Sequence, residues 1–319
     1  MGQPRYLLIT ADDFGIGPDT SRGILDLARL GAVTSTVLLA NSPHAAEAVT
    51  LWRRAGRPVE LGWHPCLTLD APVLPPGEVP SLVRPDGRFL PLGRLLQRLA
   101  VGRVDRDDVA REFRAQLARY RDLTGQWPAN VNAHHHVHVF RPVGDALAAV
   151  LRPVTPRPFV RRVTEGGGSL RRVPGARVKR LTLSAFGRRA ARRQAAAGLP
   201  GNAAVLGVTD PPFVHAPDFF ARWLRAAAGG TGLVELTCHP GHLDATLDGR
   251  DGSLADGQLH RRAREFQALR DPAFLRHVED QGFTLTTAAD WVAGGRTRPL
   301  TAAVPTAPSP PHPAGPAPA

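Results

Sequence analysis

Two adjacent carboxylates and a run of histidines are the residues of this chain best suited to chemistry. Asp12 and Asp13 follow the apolar segment Tyr6 to Thr10, and side by side they repel each other. A divalent cation relieves that repulsion, taking one carboxylate as ligand and leaving the other as a base. The structural alternative is a helix cap and a turn started with Gly15. Asp13-Phe14-Gly15 also mimics the kinase metal motif, but no glycine-rich phosphate loop or catalytic-loop signature accompanies it. His64 ends the run Val59 to His64, where a lone histidine is usually a hydrogen-bonded structural residue. The segment Asn132-Ala133-His134-His135-His136-Val137-His138 is less ordinary, with four histidines in five residues. Burying them is costly unless they bind metal or one another. If the segment is extended, His134, His136 and His138 share one face, so not every member can be a direct ligand. Glu235-Leu236-Thr237-Cys238-His239-Pro240-Gly241-His242 brings two more histidines to the end of an apolar run.

One carboxylate and two imidazoles leave open positions on a divalent ion, which distinguishes a catalytic site from a structural one. Such an ion polarises a carbonyl and acidifies water, a second carboxylate takes the proton, and a histidine across the site protonates the leaving group. Those parts suit amide or ester hydrolysis without a covalent intermediate.

The elements that must gather these residues alternate. Strands are expected at Tyr6–Thr10, Val33–Ala40, Val59–His64, Val131–His134, Phe159–Val163, Ala203–Val208, Leu233–Thr237 and Phe283–Thr286. Helices are expected at Pro18–Leu30, from the Ser42-Pro43 start to about Arg54, and at Arg103–Thr124, Val143–Leu151, Pro217–Ala228, Gln258–Leu269 and Ala273–Gln281. Repeated β-α alternation argues for a parallel sheet closed into a barrel, with an open doubly wound sheet as the competitor. In a barrel, Asp12, Asp13, His64, His134 and His239 all fall at strand C-terminal ends, on the face where catalytic groups collect. The expected organisation is one α/β domain over 1–298 and a disordered Pro/Ala-rich tail over 299–319.

Composition narrows the class. At 319 residues and 43% hydrophobic content, a single large domain can bury a full core. The opening MGQPRYLLIT is too short an apolar run for a secretory signal, and no stretch reaches membrane-span length, so a cytoplasmic protein is the expectation. Cys66 and Cys238 cannot build a disulfide framework or a cysteine zinc site, and read as buried thiols. The formal charge of +12 comes almost wholly from Arg161 to Arg193, with eleven Arg and Lys against the single acid Glu165. Phe186 is the only aromatic there, too few for nucleic-acid stacking. A solvated basic helix and loop is the simpler reading, against contact with an anionic membrane surface or substrate.

At these motifs the chain resembles the YdjC-like carbohydrate deacetylases, which include chitooligosaccharide deacetylases and deacetylases associated with hopanoid biosynthesis. The resemblance runs from Tyr6 to about Trp291 and rests on Thr10-Ala11-Asp12-Asp13-Phe14-Gly15, Gly62-Trp63-His64, Asn132 to His138 and Cys238-His239-Pro240. It implies a distorted (β/α) barrel of the polysaccharide-deacetylase type and one divalent ion, Zn2+ or Mg2+, held by Asp13, His64 and His134. It further implies Asp12 as base, His239 as acid, and Arg161 orienting Asp12. The implied substrate is an N-acetylated sugar or glycolipid, with a homodimer as a compatible assembly and peripheral membrane contact through 161–193 as an option. Asn132 and the loop Val73 to Pro80 with Asp86 to Phe89 lean toward hopanoid-type members, whereas Thr34-Ser35-Thr36 leans toward the chitooligosaccharide type. Two other functions compete. A glycoside hydrolase would need two carboxylates flanking the scissile bond, and a histidine-rich metal-binding or anionic-surface-binding protein would bind without turnover.

Overall fold

A computed structural model of the chain describes residues 5–209, 211–216, 218–227, 232–251 and 258–294. The expected tail, 299–319, and the end of the expected 1–298 domain lie outside the described residues. Eight parallel strands form one sheet: β1 (Arg5–Phe14), β2 (Ser35–Leu38), β3 (Glu60–Trp63), β4 (Asn130–Val131), β5 (Phe159–Val160), β6 (Ala204–Leu206), β7 (Gly232–Cys238) and β8 (Phe283–Leu285). Their order is β5-β4-β3-β2-β1-β7-β6, with β8 paired to β1. β7 takes one edge of β1 from Arg5 to Ala11. β8 pairs with β1 over Arg5–Leu7 and β2 from Thr10 onward, so these two divide the other edge.

The sheet curls, but among the described residues its ladder does not close. Between β5 and β6 the gap is spanned by single bonds, Val160 N–H to the Pro200 carbonyl (2.8 Å) and Val205 N–H to the Thr164 carbonyl (2.8 Å). The outcome is the expected distorted barrel. Helices cover its outside, so strand residues are buried on both faces: Leu7, Leu8 and Ile9 in succession have no exposure. Inside, polar side chains replace the usual branched ones, and Thr10, Asn130, Arg161 and Glu235 are each fully buried.

Local signals set several helix ends. Asp105 caps Arg106–Thr124 by accepting from the Asp107 N–H at 2.7 Å, and Gly125 closes it at a φ of 76°. Asp271 caps Pro272–Asp280 through the Ala273 N–H at 2.8 Å. The Ser42-Pro43 start differs from expectation: the helix begins at Ala45, and the Ser42 hydroxyl accepts from the His44 N–H at 3.2 Å. Strand β4 ends at Val131, short of His134, because the chain there leaves the sheet to form a tight turn.

The basic stretch folds into Gly167–Arg172 and a 20-residue helix, Arg177–Ala196. It is not a simple solvated surface. Arg180 is 1% exposed, donates to the Val173 (2.6 Å), Gly175 (3.0 Å) and Ser169 (2.8 Å) carbonyls, and pairs with Glu165. Among the described residues no helix is long and apolar enough to cross a membrane.

Candidate active site

Asp12 and Asp13 sit at the C-terminal end of β1, where the register with β2 shifts between Ala11 and Phe14. On a regular strand neighbouring side chains point to opposite faces. Here Asp13 adopts a φ of 67°, a left-handed conformation that aspartate tolerates better than most residues. Both carboxylates consequently line one cavity of about 440 Å³, together with His64, His134 and His239.

His64 follows β3. A side chain at Gly62 would collide with the Asn130 carbonyl of β4, so glycine allows the close strand approach that the His64 motif needs. The His64 ring donates from Nδ1 to the Asn132 carbonyl at 2.6 Å, which leaves Nε2 as the lone-pair atom, 3.2 Å from Asp13 Oδ1. His134 brings Nδ1 to 3.0 Å from the same oxygen. The cluster therefore aims two imidazole nitrogens and one carboxylate oxygen at a common point, all mutually within 4.8 Å.

The histidine-rich segment is a tight turn, not an extended strand. His135 and His136 have φ of 55° and 57°, so the expectation that His134, His136 and His138 share one face is overturned. The backward turn sends the rings of His134, His135 and His138 to different partners. His135 Nδ1 meets the Thr68 hydroxyl at 2.9 Å. His138 is buried; its Nε2 donates to the Arg161 carbonyl at 3.0 Å, and its Nδ1 accepts from the Ala133 N–H at 3.3 Å.

Arg161, just past β5, is fully buried and grips Asp12 with both terminal nitrogens, at 2.6 Å to Oδ2 and 2.9 Å to Oδ1. Its Nε donates to Glu235 at 2.9 Å. Thr237 adds a hydroxyl to Asp12 Oδ2 at 2.9 Å. Burial alone would raise the Asp12 carboxyl, but the Arg161 guanidinium outweighs it and holds the group well below the usual carboxylate range. Asp13 is likewise pulled down against burial, by Arg262 and His134. His134 is pushed up: burial disfavours its charge, but the Asp13 carboxylate prevails.

His239, at the end of β7, places Nε2 3.9 Å from Asp12 Oδ2. Arg261 donates toward its Nδ1 at 3.3 Å, which leaves the proton of the neutral ring on Nε2, facing the cavity. Burial first, and then the Arg261 charge, lower the His239 pKa to about 4. His242 points elsewhere, pairing with Asp26 at 3.0 Å over the Phe266 ring.

Several site residues escaped the sequence reading. Arg262 donates to Asp13 Oδ2 and to Asp251, both at 2.7 Å. Glu265 accepts from the His239 N–H at 2.5 Å and from Arg261 at 2.7 Å. In a helix dense with charge, nothing in the sequence sets these three apart from solvated neighbours. Glu235 did carry a signal, as an acid inside an apolar strand run. Both cysteines are the buried thiols expected, with burial pushing Cys66 up to about 12.

The fold and site define a curled parallel α/β barrel with an Asp/His cluster at its strand C-termini. The YdjC-like protein family matches residues 6–280, and the chain belongs to that family. It is similar to the carbohydrate deacetylase of Homo sapiens, 32% identical over 302 residues covering 91% of this chain and 92% of that one. The carbohydrate deacetylase of Geobacillus stearothermophilus is 31% identical, covering 89% and 97%. The chitooligosaccharide deacetylase of Klebsiella pneumoniae (strain 342) is 29% identical, covering 90% and 99%. A crystal structure described as a cellobiose-phosphate cleavage protein of Enterococcus faecalis V583 shares the fold, with a TM-score of 0.72, 23% identity and coverage of 91% and 99%.

Proposed function

We propose that this protein is a metal-dependent carbohydrate N-deacetylase, hydrolysing the acetamide of an N-acetylated sugar. One observation carries the reading: Asp13 Oδ1 faces His64 Nε2 and His134 Nδ1 at 3.2 and 3.0 Å, in the same cavity as the arginine-clamped Asp12. The similarity to carbohydrate and chitooligosaccharide deacetylases over nearly the whole chain supports the reaction class.

The cluster fits a cation. The two imidazole nitrogens crowd one carboxylate oxygen, and the raised His134 pKa marks a place that favours positive charge. Among the described residues His134 Nε2 has no partner, although it is buried. Asp13, His64 and His134 would hold the ion. Two imidazoles and a single carboxylate favour Zn2+ or a similar transition ion over Mg2+. When bound, such an ion supplies Lewis-acid polarisation of the acetyl carbonyl and acidifies water.

The remaining work falls to the protein's own groups. Asp12 is ionised at any working pH and serves as base, taking a proton from the attacking water. Its clamp costs basicity and gains position, because Arg161 and Thr237 fix the direction of both carboxylate oxygens. His239 serves as proton donor to the leaving nitrogen through Nε2. Arg261 and Glu265 orient the ring, the first at Nδ1 and the second at the backbone N–H. Arg262 holds the outer oxygen of Asp13 and leaves Oδ1 to the cluster. Two buried free thiols suit a reducing, cytoplasmic setting.

The test is acetate release from N-acetylglucosamine oligomers, glycolipids and small N-acetyl glycosides, with added metal and with chelator. Tight metal binding with no acetate from any of them would favour a non-catalytic metal-binding protein.

A further inference from the structure

A second cavity lies between the helices Arg141–Leu151 and Arg177–Ala196. Its volume is about 410 Å³, within the range of small-molecule sites, and it shares no lining residue with the cavity of Asp12 and Asp13. Short side chains such as Ala148 and Ala190 keep it open, while Arg106, Arg152, Arg157 and Arg193 line it.

Its charge is uncompensated. Asp145 is the one carboxylate among the lining residues, and it is taken up by Arg193 and Arg141, each at 3.3 Å. Arg157 donates to the Ala197 carbonyl at 2.8 Å and keeps its charge. Arg106 and Arg152 are exposed and have no partner among the described residues. Three guanidiniums with no carboxylate partner among the described residues, beside a fourth shared with Asp145, suit an anion, and their fork geometry suits phosphate oxygens.

A second observation comes from the cavity's buried lining. Gln194 is 8% exposed; its Nε2 lies 3.4 Å from the Arg161 carbonyl, and its Oε1 is buried with no partner among the described residues. An unpaired buried acceptor is satisfied by a ligand O–H, which a fully ionised anion such as sulfate lacks and a hydroxylated phosphate ester provides. His138 beside it has both ring nitrogens engaged, so it forms fixed wall.

We infer that this cavity is a binding site for a small phosphate ester that carries a free hydroxyl, separate from the site of hydrolysis. The phosphate meets Arg106, Arg152, Arg157 and Arg193, and the hydroxyl meets Gln194. Such chemistry is offered both by soluble phosphorylated polyols and by the headgroup of phosphatidylglycerol. The inference does not rest on the deacetylase reading, and the two stand or fall on different measurements.

The experiment is calorimetric titration of the full chain with sulfate and with glycerol 3-phosphate, with and without chelator. Sedimentation with phosphatidylcholine vesicles, plain or containing phosphatidylglycerol, tests the lipid source. The ester is expected to bind more tightly than sulfate, more weakly as salt rises, and equally with chelator present. Arg106→Gln/Arg152→Gln is expected to weaken it by roughly tenfold or more at unchanged melting temperature, since a charge-assisted bond of this kind is a tenfold term or larger. Gln194→Leu is expected to erase the preference for the ester. Vesicle binding that glycerol 3-phosphate competes away supports the lipid form of the ligand, and ester binding without vesicle binding supports the soluble form. Wild-type affinity in Arg106→Gln/Arg152→Gln, or loss of binding with chelator, would overturn the assignment, as would vesicle binding indifferent to the ester.

Discussion

Replacing Arg161 by methionine tests the centre of the site. The guanidinium is fully buried and lies between two buried carboxylates, 2.6 Å from Asp12 and 2.8 Å from Glu235. Removing one partner of a buried pair costs about 3–5 kcal/mol, because a charge is left without compensation. With two carboxylates orphaned, the upper end of that range applies, a fall in Tm on the order of 10 °C. The pH dependence gives the sharper signature. In the wild type the depressed Asp12 pKa contributes stability that is fully present above its unfolded value, about 3.9, and is lost as pH falls through the folded one. In Arg161→Met only burial acts strongly on Asp12, so its pKa rises and the variant regains stability by protonation as pH falls. The gap between the proteins is therefore expected to be widest near pH 8 and to narrow toward pH 5. Urea unfolding followed by circular dichroism at both pH values, with chelator, measures it. Acetate release by the metal-loaded variant should fall steeply at neutral pH, and Arg161→Lys, which keeps the charge without the fork, should recover most of the stability and only part of the rate. A stability gap below about 1 kcal/mol that does not change with pH would refute the claim that Arg161 holds Asp12 ionised.

Asp12→Asn should keep metal binding and lose nearly all turnover, because an amide cannot take the proton from water; loss of metal binding in this variant but not in Asp13→Asn, read by equilibrium dialysis, would exchange the two roles. His64→Ala and Asp13→Asn should each weaken metal binding strongly, and an anomalous-scattering peak more than about 3 Å from any of Asp13, His64 and His134 would move the site. His239→Ala should cost roughly 10² to 10⁴ in rate on the amide and much less on an ester with a good leaving group, since the latter needs little protonation; equal losses on both would leave His239 a packing residue. With its pKa lowered to about 4, His239 as an imidazolium donor sets the alkaline limb of kcat/KM on the acid side of neutrality, and a profile flat from pH 5 to 8 would rule out donation from the protonated free enzyme.

Much of the architecture was legible in the sequence because it is written in local patterns. The two-sided burial of parallel strands produced continuous apolar runs, and seven of the eight strands fall on those runs, while β4 overlaps its expected run only at Val131. Helices expected at Arg103–Thr124 and Ala273–Gln281 are present within three residues of those bounds, with the caps at Asp105 and Asp271 setting their starts. The strand-end positions of Asp12, Asp13, His64 and His239 were likewise readable, since a barrel sends strand C-termini to one face whatever the details of its closure.

Tertiary structure decided what those residues do to each other. That Asp13 joins His64 and His134 while Asp12 joins Arg161 depends on a left-handed residue at a register shift, and nothing in an Asp-Asp pair announces it. The four clustered histidines looked equivalent, yet positive φ at His135 and His136 makes His134 a member of the Asp13 cluster, His135 a partner of Thr68 and His138 a buried brace at the Arg161 carbonyl, while His136 Nδ1 is buried without a partner among the described residues. Arg261, Arg262 and Glu265 reach the site from a helix whose other charged residues resemble them in sequence. Arg180, inside the basic stretch, is buried by carbonyls that only the folded chain brings around it. The physical reason is common to all of these: periodicity and capping depend on a few neighbouring residues, whereas the burial and pairing of a charge depend on which groups the fold brings around it, whether 7 residues away, as Val173 is from Arg180, or 149, as Arg161 is from Asp12.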